Sequence, residues 1–185
     1  RLCREELYYA QSVRDLSCRI TALWESGVMP MRVTHNDTKL NNVMLSADSH
    51  TPLCVIDLDT VMPGSVLYDY GDALRFAGSS GAEDEKDLDK IWFDLEKFEY
   101  FTRGFLETLP SITKRELELL PFSVKLMTLE CGSRFLADYL AGDTYFATKY
   151  EGHNLVRCRT QLKLAGEMEK NFAKMDEIVE RIANS

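Results

Sequence analysis

The apolar positions fall into three regimes along the chain. Tyr9, Val13, Leu16, Ile20 and Leu23 recur at alternating spacings of 4 and 3, which places them on one helical face. They predict a helix over the first 26 residues, with Gly27 as its C-terminal cap and Pro30 blocking continuation. From residue 31 to 59 the helical period disappears. Residues 31–33, 43–45 and 54–56 are short β-prone runs separated by polar, turn-forming stretches, which predicts small paired strands and not a large sheet. Beyond Asp59 the helical period returns. Helices are expected over 66–76, after Pro63-Gly64, and over the aromatic-rich 91–109. Thr113 with Glu116 forms a capping box that opens a helix reaching about Leu140. A last helix carries Leu155, Cys158, Leu162, Ala165, Met168, Phe172, Met175, Val179 and Ile182, a seam expected to pack on the core and not to form a coiled coil. Residues 78–89 are rich in Gly, Ser and acid and predict a mobile surface loop, with Glu83-Asp84-Glu85 as a solvated run.

The reading so far is mainly α with a small β-element, an α+β arrangement in one domain spanning 1–185. Composition agrees: 185 residues, 45% hydrophobic and 28% charged, describe a globular chain. No apolar run approaches the roughly 18 residues of a membrane span, and Arg1 to Glu6 has no apolar signal region. A net charge of −8 argues against a broad nucleic-acid footprint. Five widely spaced cysteines argue against a disulfide framework or a structural zinc site, and point to reduced thiols in the cytoplasm.

Chemistry concentrates where the helical period is missing. His35-Asn36-Asp37-Thr38-Lys39-Leu40-Asn41-Asn42 lies between two short β-prone runs. The later run Cys54-Val55-Ile56 ends in Asp57-Leu58-Asp59. A loop bearing Asp and Asn beside a strand that delivers carboxylates at its tip suits phosphoryl transfer. One carboxylate accepts the proton of the attacking hydroxyl, while a second and an amide oxygen hold magnesium on the phosphates.

His35, Asp37, Lys39 and Asn42, with Asn five residues after Asp, match the loop pattern of the protein-kinase-like superfamily, and Asp57 matches its magnesium-binding Asp. The segments HNDTKLNNVML (35–45), CVIDLDTVMPGSVLYDYGDALR (54–75), GSRFLADYLAGDTYF (132–146) and HNLVRCRTQLKL (153–164) resemble the C-terminal lobe of N-acetylhexosamine kinases, in the aminoglycoside-phosphotransferase and choline-kinase branch. The resemblance implies the C-terminal lobe of a kinase-like fold with its N-terminal lobe absent from this chain. That lobe would be a partner, and the exposed lobe interface a surface for self-association. It implies ATP and magnesium as cofactors and a sugar acceptor, through the anomeric hydroxyl of an N-acetylhexosamine. Residue by residue, it makes Asp37 the catalytic base in contact with substrate, and places Lys39 on the transferred phosphate. Asn42 and Asp57 bind magnesium and nucleotide phosphate, with Asp59 as a second metal carboxylate. His35 and Asp69 support the loop, and Arg134 and Tyr145 bind the sugar. Asp69 follows Asp57 by 12 residues, which leaves no room for a peptide-docking segment and favours a small acceptor.

Two alternatives compete. Val55-Ile56-Asp57-Leu58-Asp59-Thr60-Val61 also looks like the first motif of haloacid-dehalogenase-type phosphatases, with Asp57 as nucleophile and Asp59 as general acid; that fold requires parallel strands alternating with helices. A non-catalytic kinase-like binding module is the other. The blander readings pair Arg134 with Asp138 one helical turn on, and make Asp72 a helix-surface or bracing charge.

Overall fold

The computed structural model describes residues 2–185. The chain begins with α1 (Arg4–Ser12) and α2 (Arg19–Glu25), joined through a 3₁₀ turn at Arg14–Leu16. The single helix expected here is broken. The Ser12 and Ser17 hydroxyls donate to the Tyr9 and Arg14 carbonyls, each at 2.7 Å, so the side chains compete for the backbone. The break also serves two cores. Cys3 and Leu7 pack with Phe135, Leu136 and Leu155, while Ile20 is fully buried in the main cluster. Gly27 ends α2 with φ 73°, the left-handed cap its position predicts.

Four short strands follow in two antiparallel pairs. β1 (Arg32–Thr34) pairs with β4 (Met62–Gly64), and β2 (Val43–Leu45) pairs with β3 (Pro52–Val55). β4 was not expected, because Pro63-Gly64 reads as a turn; a two-stranded ladder has free edges and tolerates the proline. Gly64 is required there, since a Cβ would come within 2.5 Å of Thr34 Oγ1. Segments 35–42 and 56–61 lie between these pairs, side by side.

The remaining fold is helical. α3 (Val66–Ala77) buries Leu67, Tyr70 and Leu74 completely. It crosses α5 (Lys114–Leu140) at Gly71, where any Cβ would strike the Ser123 carbonyl. The capping box of Thr113 and Glu116 opens α5 as expected, with Thr113 N–H donating to Glu116 Oε2 at 2.8 Å. α4 (Leu95–Thr108) starts later than expected. Asp94 caps it by accepting from the backbone of Glu96 at 3.0 Å and Lys97 at 3.1 Å, while Ile91 and Phe93 are buried ahead of the helix.

The long C-terminal helix is two: α6 (His153–Lys170) and α7 (Phe172–Ala183) meet at Asn171. Asn171 Nδ2 donates back to the Glu167 carbonyl at 2.9 Å, and α7 turns onto α4, where Arg181 reaches Glu99 at 2.8 Å. Met168, Met175 and Val179 from the predicted seam do pack into the core. No helix of the described residues is long and apolar enough to cross a membrane.

The 78–89 segment is pinned by tertiary contacts. Glu83 pairs with Arg75 at 3.2 Å, Asp84 meets the fully buried His153 at 3.1 Å, and the Thr160 hydroxyl donates to the Glu85 carbonyl at 3.0 Å. Glycine and acid content misread this loop because its charges are answered from α3 and α6, remote in sequence.

Candidate active site

The 35–42 segment is held from behind by α3. Asp69 accepts from the backbone N–H groups of His35 at 2.8 Å and Asn36 at 2.7 Å. Its own carbonyl accepts from the Thr38 hydroxyl at 2.6 Å, and Asp72 accepts from Thr38 N–H at 3.1 Å. Burial raises the pKa of Asp69, an effect those two N–H donors partly offset. From the other side, Asn36 Nδ2 donates to the Thr60 carbonyl at 3.0 Å and Thr60 donates to the His35 carbonyl at 2.6 Å. These bonds hold Asn36 at φ 65°, a left-handed position unfavourable to most side chains.

His35 connects the loop to the carboxylate strand. Its Nδ1 accepts from the Asp37 N–H at 3.3 Å, so Nε2 carries the proton given to the Ile56 carbonyl at 3.0 Å. The ring bridges two segments and orients both.

Asp37 itself is half-buried. Lys39 Nζ and Asn42 Nδ2 both donate to its Oδ2, each at 2.8 Å, which leaves Oδ1 to face an incoming hydroxyl. Burial pushes the Asp37 pKa up, but the hydrogen bonds from Lys39 and Asn42 outweigh it and the net shift is downward. The carboxylate is thus ionised at neutral pH. Asn42 is buried and also donates to the Asp37 carbonyl at 2.8 Å.

The β2–β3 ladder continues past its last strand residue. Ile56 N–H donates to the Asn42 carbonyl at 2.9 Å, which sets Asp57 beside the Asn42 end of the loop. Asp57 sits at φ 63° and its side chain, like that of Asp59, is exposed. The proximity of the Asp59 carboxylate, and further off that of Asp37, raises the Asp57 pKa. Hard oxygen donors with uncompensated negative charge fit magnesium. Among the described residues no cluster of three or more His, Cys, Asp or Glu side chains surrounds such an ion. The oxygen groups at this end of the loop are the Asn42 amide and the Asp57 and Asp59 carboxylates.

The loop opens onto a cavity of about 570 Å³ that Asp37 and Lys39 share with α5, α6 and the 141–152 loop. Arg134 and Tyr145 both line it, with the guanidinium 5.8 Å from the Tyr145 ring. Arg134 does not pair with Asp138, as one helical turn suggested, but lies 3.7 Å from Glu130. Asp138 is buried and accepts from the backbone N–H groups of Thr144, Tyr145 and Phe146 at 2.8–2.9 Å, so it anchors the loop that presents Tyr145. Asp72 does brace, through Thr38 and through Arg75 at 2.9 Å. Sequence reasoning missed Arg75, Glu83, Glu130 and Arg157 on this cavity wall. The i, i+3 spacing of Asp72 and Arg75 was the one local signal available.

The antiparallel pairing excludes the phosphatase alternative for the described residues. Its first motif needs a parallel sheet, and no parallel pair forms.

A mainly helical lobe with a loop aspartate clasped by Lys and Asn, beside a strand end carrying two more carboxylates, has the parts of a phosphotransferase. The model of the phosphotransferase enzyme family matches residues 3–102, more than half of the chain, and the chain belongs to that family. The match spans His35 to Asp72 but stops short of Arg134 and Tyr145, which the structure shows as residues of the cavity wall.

Proposed function

We propose that this chain supplies the catalytic lobe of an ATP-dependent kinase that phosphorylates a sugar hydroxyl, the anomeric hydroxyl of an N-acetylhexosamine. The observation that carries the reading is Asp37. Its Oδ2 is fixed by Lys39 and Asn42 while the residue lines a cavity large enough for a monosaccharide.

Asp37 takes the acceptor proton. The acceptor oxygen then bonds the γ-phosphorus as the bond to the bridging β,γ-oxygen breaks, and ADP leaves. Lys39 is placed to pass from Asp37 to the transferred phosphoryl oxygens, its compact charge suited to both. Asn42, Asp57 and Asp59 would hold magnesium, which neutralises charge on the phosphates when bound. His35 and Asp69 position the loop, and Arg134 and Tyr145 contact the sugar.

The apolar residues Val33, Leu40, Met44, Leu53, Val55, Ile56, Leu58 and Met62 are all exposed around the β-element. An unpartnered apolar face beside the phosphate site suits a further lobe packing there to cover the nucleotide. The test is phosphate transfer from ATP and magnesium to N-acetylglucosamine and N-acetylgalactosamine, using the intact protein that carries this chain. Transfer to either sugar supports the reading. Transfer to other alcohols but to neither sugar restricts it to the kinase class.

A further inference from the structure

A second cavity, about 550 Å³, lies between α1 and α5 and shares a wall with the first. Asn36, Met127, Glu130 and Arg134 line both. The two differ in chemistry. The Asp37 cavity carries Asp72, Arg75, Glu83 and Arg157, whereas the second exposes mostly carbon, from Ala10, Val13, Tyr68, Leu126, Leu129 and Ala137, with Arg14, Ser17 and Ser133 as its own polar members. The boundary is built into α5. Met127, Glu130 and Arg134 follow the i, i+3, i+7 row of one helical face, with Leu126, Leu129 and Ala137 on the flank turned toward α1.

The shared wall reaches solvent. The Glu130 and Arg134 side chains are both about half exposed, and their pairing is a loose 3.7 Å. Each cavity lies in the size range of a small-molecule site, and the two adjoin at Asn36, Met127, Glu130 and Arg134.

We propose that the acceptor is amphiphilic: a hydroxyl-bearing polar head at Asp37 joined to an acyl chain longer than acetyl, which enters the α1–α5 cavity. This rests on the assignment of Asp37 to phosphoryl transfer and specifies the substrate class of that same site. For an amino sugar the substituent is the N-acyl group. An extended acyl chain is a neutral apolar tail suited to Val13, Leu126 and Leu129, and it leaves the polar head among the charged residues.

The test compares kcat/KM for N-acetyl- and N-hexanoylglucosamine, and in parallel for N-acetyl- and N-hexanoylethanolamine, using the intact protein with ATP and magnesium. Burying four added methylenes predicts a gain on the order of tenfold or more for the hexanoyl member of whichever pair is turned over. Ala137→Trp, which fills the cavity from the exposed face of α5, should abolish the chain-length dependence. Ser133→Trp does the same from a neighbouring position if the first variant folds poorly. Equal kcat/KM for the two chain lengths, a preference for acetyl, or no transfer to either pair overturns the proposal. Turnover of N-acetylglucosamine without a chain-length gain overturns it while leaving the sugar-kinase reading standing. A hexanoyl preference among the ethanolamines with no sugar turned over keeps the two-cavity site and removes the sugar.

Discussion

The Asn42 side-chain amide donates to two oxygens of Asp37, the carboxylate Oδ2 and the backbone carbonyl, each at 2.8 Å. One buried side chain therefore sets both the position of the loop and the rotamer of its carboxylate. Asn42→Ala should lower kcat by about a hundredfold or more, by freeing the carboxylate and, on the proposed reading, removing an oxygen that would hold magnesium. Steady-state kinetics should place most of the loss in kcat and little in the acceptor KM.

Asp69 acts at one remove, through the two backbone N–H groups it accepts from His35 and Asn36. Asp69→Ala orphans both and releases Asn36 from its left-handed conformation. The expected cost is about 2–4 kcal/mol, read from the urea midpoint. Asp69→Asn keeps one acceptor oxygen and should recover part of that loss and part of kcat, because the role is positional.

The Arg32–Glu116 pair predicts an acid-sensitive step. Arg32 Nε and Nη2 meet the two Glu116 oxygens at 2.6 and 2.7 Å, tying β1 to the start of α5. Burial raises the Glu116 pKa, but Arg32 and Thr113 outweigh it and the folded value is depressed. A depressed carboxylate stabilises the fold above its unfolded pKa of about 4.3, and the contribution fades as pH falls through the folded value. Glu116→Gln should therefore cost about 3 kcal/mol at pH 7, and the gap to the unsubstituted protein should close toward pH 3 in urea titrations. A gap independent of pH would contradict the assignment.

Asp138 predicts a separate effect on acceptor binding. It gathers the backbone of residues 144–146 and also accepts from Asn154 Nδ2 at 2.8 Å. Asp138→Ala should loosen the 141–152 loop and raise the acceptor KM about tenfold or more, with the KM for ATP unchanged. Limited proteolysis should cut the variant within that loop faster than the unsubstituted chain.

The grouping of the 35–42 loop with the 57–59 strand end was legible in the sequence, and most of the cavity wall around Arg134 and Tyr145 was not. His35, Asp37, Lys39 and Asn42 act within one short loop, so spacing alone places them together. Asp57 follows because the run before it reads as a strand. Arg75, Glu83, Asp138 and Arg157 come from four separate stretches and converge only because α3, α5 and α6 pack as they do. That packing depends on contacts such as Gly71 against Ser123, which no hydrophobic period reveals. The same limit explains the helix boundaries. Residues 1–26 and 153–183 each carry a continuous apolar stripe, but each stripe serves two packing surfaces, and the chain bends at Ser12–Ser17 and at Asn171 to reach both.

The central claim is that Asp37 is the base of a magnesium-dependent phosphoryl transfer. Its most direct test is Asp37→Ala in the intact protein, with transfer from ATP and nucleotide binding measured on the same sample. Turnover should fall at least a hundredfold while nucleotide affinity stays within a few-fold of the unsubstituted protein. A variant that keeps more than about a tenth of the transfer activity would contradict the account.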